Sequence, residues 1–395
     1  MMTARVALVF FLLCGAVRAA APSLVMLSWT SDLLSRFAGS PVEMKAAAFV
    51  PARCNRTGVR CGVLYHLPGY GVSLARAGTT LRTYVHLSAR IPRLTMAHVF
   101  IDPSVNGGYS YFTDSQNNGP WNSALTQEFI PYIERTLGVG GCAQSRFIEG
   151  ISSGGWAAMW LQVSNPGFFR AVWAIAPDPL DFRHFYQVDL TPGSTDNFYA
   201  KRNGASRFLD RGHSITMRTL MQQVDADPTR GGIISSYEFA WSPRGPEGLP
   251  GRLFDRSDGQ LDEQTLEAWQ AYDVHTVLSN GGAPLRDALA GKLNIYCGAR
   301  DSFFYNEPTA ALCRFLRKSR YAAVCRLVPG RTHRTVLLPA SLYPLGLRHL
   351  VLAEAAATWR RSATCDGDGT VGLATQLSSQ RRPDVRVEIT SHPPL

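Results

Sequence analysis

The chain has no Cys-x-x-Cys pair and no tight Cys/His cluster, which argues against the common zinc sites. It has no glycine-rich dinucleotide fingerprint set between an apolar strand and a helix, so neither a metal nor a cofactor is expected. Beyond its first residues it lacks any uninterrupted apolar run of about 18 residues, the length a membrane span requires. It also lacks a basic stripe. Lys+Arg number 40 against 30 Asp+Glu, a net charge of +10, but the cations are scattered apart from short pairs such as Arg360-Arg361 and Arg381-Arg382. A nucleic-acid partner is therefore not expected, although attraction to anionic substrates remains open. Internal repeats are absent. What is present is an ordinary globular balance, 45% hydrophobic and 18% charged, and 35 Gly with 24 Pro foretell many turns and long loops. A chain of 395 residues can form one large α/β domain with insertions.

The first residues read as an export signal. Arg5 supplies a positive start, Val6 to Val17 a short apolar run, and Val17-Arg18-Ala19-Ala20-Ala21 a small-residue cleavage region. Residues 1–21 are thus expected to be a signal peptide, and the mature protein to be secreted (extracellular or periplasmic) with no stable membrane span. Cysteine usage agrees. Cys14 lies in the signal, leaving Cys54, Cys61, Cys142, Cys297, Cys313, Cys325 and Cys365. Cys54–Cys61 and Cys313–Cys325 are plausible local disulfides. An odd number leaves a thiol over, and Cys297, in an apolar strand, is a candidate. Asn55-Arg56-Thr57 is a glycosylation sequon.

Short apolar runs alternate with amphipathic stretches, the pattern of an α/β fold. Strands are expected at 62–67, 97–101, 146–149, 169–176, 293–297 and 322–328. Helices are expected at 121–137, 154–163 and 308–318. From about 181 to 291 the rhythm breaks into Pro-Gly-rich segments with helical pieces at 214–224 and 262–271, an insertion covering one side of the sheet. The main domain is read as 22–361, and 362–395 as a polar, flexible tail.

Gly150-Ile151-Ser152-Ser153-Gly154 fits G-x-S-x-G between an apolar strand and a small-residue helix. In such a sharp strand-to-helix turn, side chains flanking the nucleophile would collide with neighbouring backbone, and glycine relieves the collision. Ser152, centred between the glycines, is the candidate nucleophile. The backbone N–H of Ser153 starts the helix and is a candidate oxyanion donor. A second donor is expected from His66-Leu67-Pro68-Gly69-Tyr70-Gly71, at Tyr70. A serine needs a base and the base an orienting acid, in the order Ser, acid, His. Asp301 follows the strand 293–297, and His333 follows the last strand in Pro329-Gly330-Arg331-Thr332-His333. Asp178 and Asp181 are rival acids, with Asp178 read as structuring its proline-rich turn. His66 could line the pocket. Trp121 and Trp156 could wall it, although core packing suits them better.

These segments resemble the esterase family of the α/β-hydrolase superfamily that includes esterase D (S-formylglutathione hydrolase), feruloyl esterases and mycolyltransferase antigens. The resemblance is carried by VLYHLPGYG (63–71), HVFIDPSVNGG (98–108), DSQNNGPW (114–121), GISSGGWAAMWLQVSNPGFF (150–169), APDPLDFR (176–183), AWSPRGPEGLPGRLFD (240–255), GARDSFF (298–304) and VPGRTH (328–333). It implies an α/β-hydrolase fold, a mostly parallel sheet flanked by helices, with the insertion between nucleophile and acid. It also implies a serine esterase acting on a small-molecule or polymer-linked ester through Ser152, Asp301 and His333. The chain departs from the family in two places. His66-Leu67-Pro68-Gly69 replaces a usual Leu-His-Gly order, and Ile151 replaces a frequent His. An acyltransferase on the same site, a peptidase, and a non-catalytic binding protein on this scaffold are the alternatives. The absence of a propeller-like domain weighs against a peptidase, and the presence of all three triad candidates against a binding protein.

Overall fold

The computed structural model describes residues 24–55, 61–88, 90–91, 95–106, 108–201, 204–205, 207–210, 213–225, 232–339 and 346–361. The expected signal peptide and tail lie outside these residues, as does part of the sequon at 55–57. Eight strands form one sheet: β1 (Leu24–Thr30), β2 (Glu43–Phe49), β3 (Gly62–Leu67), β4 (Met96–Ile101), β5 (Arg146–Ile151), β6 (Ala171–Ile175), β7 (Leu293–Gly298) and β8 (Val324–Val328). Their spatial order is β1-β2-β4-β3-β5-β6-β7-β8. All pairings from β4 to β8 are parallel, while β2 runs antiparallel to β4 and to β1. The helices that matter for the site are α1 (Ala77–Ser88), α2 (Ser153–Ser164), α3 (Gly232–Trp241), α4 (Asn306–Lys318) and α5 (Leu347–Arg361).

The central strands form because their residues suit burial on both faces. Every residue of β3, β4 and β6 is buried, as parallel strands covered by helices require. α2 is buried almost all round, and Trp156, fully inaccessible, packs among Tyr111, Trp160 and Trp241. Burying such a side chain contributes about 2–3 kcal/mol. Core packing is therefore the place of Trp156, and of Trp121, which is 5% exposed. α5 is tied to the sheet by Trp173 Nε1, which donates to Glu354 Oε2 at 2.7 Å.

Several elements differ from expectation. β1 and β2 were not anticipated from the sequence pattern. Ala46, Ala47 and Ala48 favour helix, yet they form β2, where all three are fully buried. The helical piece expected from residue 214 begins as a strand, His213–Thr216, paired with Arg207–Asp210, and turns helical at Met217–Asp225. β-branched Ile215 and Thr216 suit that pairing. α3 and the helices Val274–Asn280 and Gly282–Ala288 lie in the segment read only as insertion. Cys54–Cys61 and Cys313–Cys325 are disulfides, Cys142 is disulfide-bonded as well, and Cys297 is a buried free thiol. Among the described residues no helix is long and apolar enough to cross a membrane.

β5 and α2 meet so closely that backbone fills the space of side chains. A Cβ on Gly150 would lie 2.0 Å from the Gly154 carbonyl oxygen, and one on Gly154 would lie 2.1 Å from that of Leu67. No side chain can move aside there, because the obstacles are main chain. Gly154→Ala is expected to destabilise the fold by about 3 kcal/mol or more, read as a lowered midpoint in urea unfolding; a wild-type midpoint would contradict this packing.

Candidate active site

Ser152 occupies the turn between β5 and α2, with φ 58° and ψ −127°. That region is costly for a residue with a side chain, on the order of 1–3 kcal/mol. The strain is held by neighbours: Ser152 N donates to Ile175 O and Trp156 N to Ser152 O, both at 3.0 Å. Gly69 lets the turn after β3 come against the serine, since a Cβ there would lie 3.2 Å from Ser152 Cβ. Tyr109 Oη donates to Pro68 O at 2.6 Å and fixes that turn from behind. Tyr70 follows in the turn, half-buried, and Ser153 opens α2. As the first residue of α2, Ser153 has no acceptor within the helix for its backbone N–H.

Asp301 and His333 come from separate loops that are brought together at Gly298. A Cβ on Gly298 would lie 2.4 Å from Arg331 O, so glycine there allows the loop after β7 to pack against the loop after β8. Arg300 N donates to Arg331 O at 2.8 Å across the same contact. His333 Nδ1 then donates to Asp301 Oδ2 at 2.9 Å. Because an ionised carboxylate only accepts, the proton sits on Nδ1 and leaves Nε2 as the acceptor. Asp301 Oδ1 accepts from Phe303 N at 2.9 Å, and the Cys297 thiol lies 3.7 Å from Oδ2. Burial pushes the Cys297 thiol up, and the nearby Asp301 charge adds to this, so it stays a thiol. Phe303 and Tyr305 pack edge-on against the imidazole. Asp301 is 4% and His333 9% exposed.

The rival acids have other partners. Asp181 is fully buried and is held by Arg183 through Nε at 2.8 Å and Nη2 at 2.6 Å. With Asp273 and His275 it forms a cluster of metal-binding residue types, but Arg183 already places a cation there, with Nη2 3.0 Å from His275 Nε2. Asp178 does more than shape its turn. Its Oδ1 accepts from Ser152 Oγ at 3.3 Å, and no hydrogen bond joins Ser152 Oγ to His333. Its Oδ2 accepts from Ser153 Oγ at 2.7 Å, Tyr237 Oη at 2.7 Å and Tyr111 Oη at 3.1 Å. Burial raises the Asp178 carboxyl, against the hydrogen bonds from Tyr237 and Ser153. Sequence reasoning missed this cluster, and Tyr237 in α3 had no motif to reveal it. His66 is a core residue, 1% exposed, bonded to Glu149 Oε1 at 2.7 Å and His98 Nδ1 at 3.1 Å.

A family model described as "Putative esterase" matches residues 40–331. The chain belongs to that esterase family. It is a carboxylic ester hydrolase. The esterase is similar in structure to a ferulic acid esterase, 14% identical, over 86% of this chain and 100% of that one, with a TM-score of 0.54. It is also similar to FphF of Staphylococcus aureus, a fluorophosphonate-binding serine hydrolase, 11% identical, over 86% of this chain and 99% of that one, with a TM-score of 0.50. These likenesses show the α/β-hydrolase fold. No curated protein matches the esterase significantly in sequence.

Burial pushes the Asp273 carboxyl up to about 6, against the hydrogen bonds from Thr276, and the Asp181 charge adds to the rise. The folded state therefore holds this proton more tightly than the unfolded chain does. The contribution of Asp273 to stability is fully present below the ordinary value of 3.8 and is lost as pH rises towards about 6. Between pH 4 and pH 7, Asp273→Asn is expected to gain about 2 kcal/mol on the wild type in urea unfolding. A constant difference at both pH values would refute it.

Proposed function

We propose that the esterase hydrolyses its ester through a Ser152–His333–Asp301 triad and an acyl-enzyme intermediate. The observation that carries this reading is the 2.9 Å Asp301–His333 pair, with His333 close enough to Asp178, the acceptor of the strained Ser152 hydroxyl, for their charges to interact. Ser152 Oγ bonds to the carbonyl carbon while its proton passes to His333 Nε2, and the carbonyl electron pair moves to oxygen. The N–H groups of Tyr70 and Ser153 hold that oxyanion. Asp301 keeps the imidazole oriented and stabilises its charged form. Collapse breaks the bond to the alcohol, which leaves with the proton from His333. Water then attacks the acyl-enzyme by the same route in reverse. The loose Ser152 geometry of the free enzyme fits this scheme, since such bonds tighten when substrate arrives. The esterase is further proposed to be exported, a reading supported by the N-terminal signal pattern and the disulfides.

Fluorophosphonate labelling with peptide mapping tests the triad. The adduct is expected on Ser152 and is expected to be lost in His333→Ala. Ser152→Ala should reduce turnover on the order of a million-fold. An adduct elsewhere, or wild-type turnover in Ser152→Ala, would reject the assignment. Added alcohols should leave the free acid as the main product; ester products instead would identify an acyltransferase.

A further inference from the structure

The triad leaves out a carboxylate that touches its nucleophile. Asp178 is fully buried, and its loop is shaped to reach Ser152. Ala176 takes φ 41°, unusual for a residue with a side chain, and Asp178 N donates to Ser152 O at 3.3 Å. Gly155 makes room for the loop, since a Cβ there would lie 3.1 Å from Pro177 Cα. Three hydroxyls meet one oxygen of the carboxylate, while the Ser152 hydroxyl meets the other. Hydroxyl donors of this kind favour an ionised acid. One of them comes from α3, inside the insertion. α3 is itself fixed on the main domain: Thr113 Oγ1 donates to Ala240 O at 3.1 Å, and Ser115 Oγ to Phe239 O at 2.6 Å. Tyr237 is also within reach of Tyr186 Oη at 3.3 Å, which bonds Tyr305 Oη at 2.7 Å beside His333.

We propose that Asp178 is a second catalytic carboxylate, which holds the Ser152 hydroxyl in the free enzyme and offsets the charge on His333 when the proton moves. Tyr237 is its positioning residue, through which the insertion acts on the nucleophile. This inference rests on Ser152 being the nucleophile. At rest the hydroxyl donates to Asp178. When substrate binds, it turns to His333 Nε2, and Asp178 remains as a fixed negative charge beside the imidazolium. Asp178 takes no proton in the step. The titratable groups facing His333 are Asp301 at Nδ1, Asp178, and Tyr305, whose ring packs edge-on against the imidazole. Those facing Asp178 are His333, Tyr109, Tyr111, Tyr186, Tyr237 and Tyr305, with the hydroxyls of Ser152 and Ser153.

The test is steady-state hydrolysis of p-nitrophenyl acetate by the full protein as a function of pH. In Asp178→Asn, kcat should fall on the order of ten- to a hundredfold with KM little changed. Removing a negative charge beside His333 makes the imidazolium less stable. The acid limb of kcat should therefore move down by about one pH unit. Tyr237→Phe, which deletes a single hydroxyl, should lower kcat severalfold at unchanged KM, and it decides the matter if Asp178→Asn does not fold. Wild-type kcat and an unmoved acid limb in both variants, with turnover abolished in Ser152→Ala, would overturn the role of Asp178 alone. Wild-type turnover in Ser152→Ala would overturn the triad and this proposal together.

Discussion

The site depends on one close approach, the contact of β5 with the start of α2 and with the end of β3. At Gly150 and Gly154 the space of a side chain is filled by carbonyl groups at about 2 Å from where a Cβ would lie. At this contact Ser152 takes a positive φ, and its hydroxyl reaches Asp178. Other parts of the site adjoin the same contact. Gly155 admits the Ala176–Asp178 turn against α2, and Gly69 admits the turn carrying Tyr70. Hydrogen bonds rather than side-chain bulk then hold the strained turn, which is why small residues cluster here.

Around that point the electrostatics are uneven. Asp301 meets the imidazole, while Asp178 meets the serine among tyrosine rings. A buried carboxylate without partners would lose its charge, but the hydroxyls of Ser153, Tyr111 and Tyr237 supply what water would otherwise give. The insertion is thereby part of the site's wall. Glu238 in α3 accepts from Leu253 N at 2.8 Å and from Arg256 Nη2 at 2.7 Å, which fastens the helix to the rest of the insertion. Tyr237, one residue earlier, reaches Asp178.

The central strands were legible because burial on both faces requires continuous apolar runs, as in GVLYHL at 62–67. The strand–turn–helix around Ser152 was legible because its glycines answer a local collision. Cys54–Cys61 and Cys313–Cys325 were legible because short separations leave neighbouring thiols within reach. The edge strands were not. Ala46 to Ala48 carry a helical preference that sheet pairing overrides, and nothing within a few residues announces the partner strands.

The amino-acid sequence alone determined the family, the fold class and the turn that carries Ser152, since each rests on residues adjacent in the chain. Only the tertiary structure decided which acids lie where. Asp178 and Asp301 both follow a parallel strand; the sequence favoured Asp301 as the acid but did not show that Asp178 meets Ser152. Asp301 meets His333 because Gly298 lets two loops touch, and Asp178 meets Ser152 because a strained Ala176 turns it inward. Tyr237 reaches Asp178 from 59 residues away along the chain. Contacts of that range depend on packing between elements, for which the local sequence carries no mark.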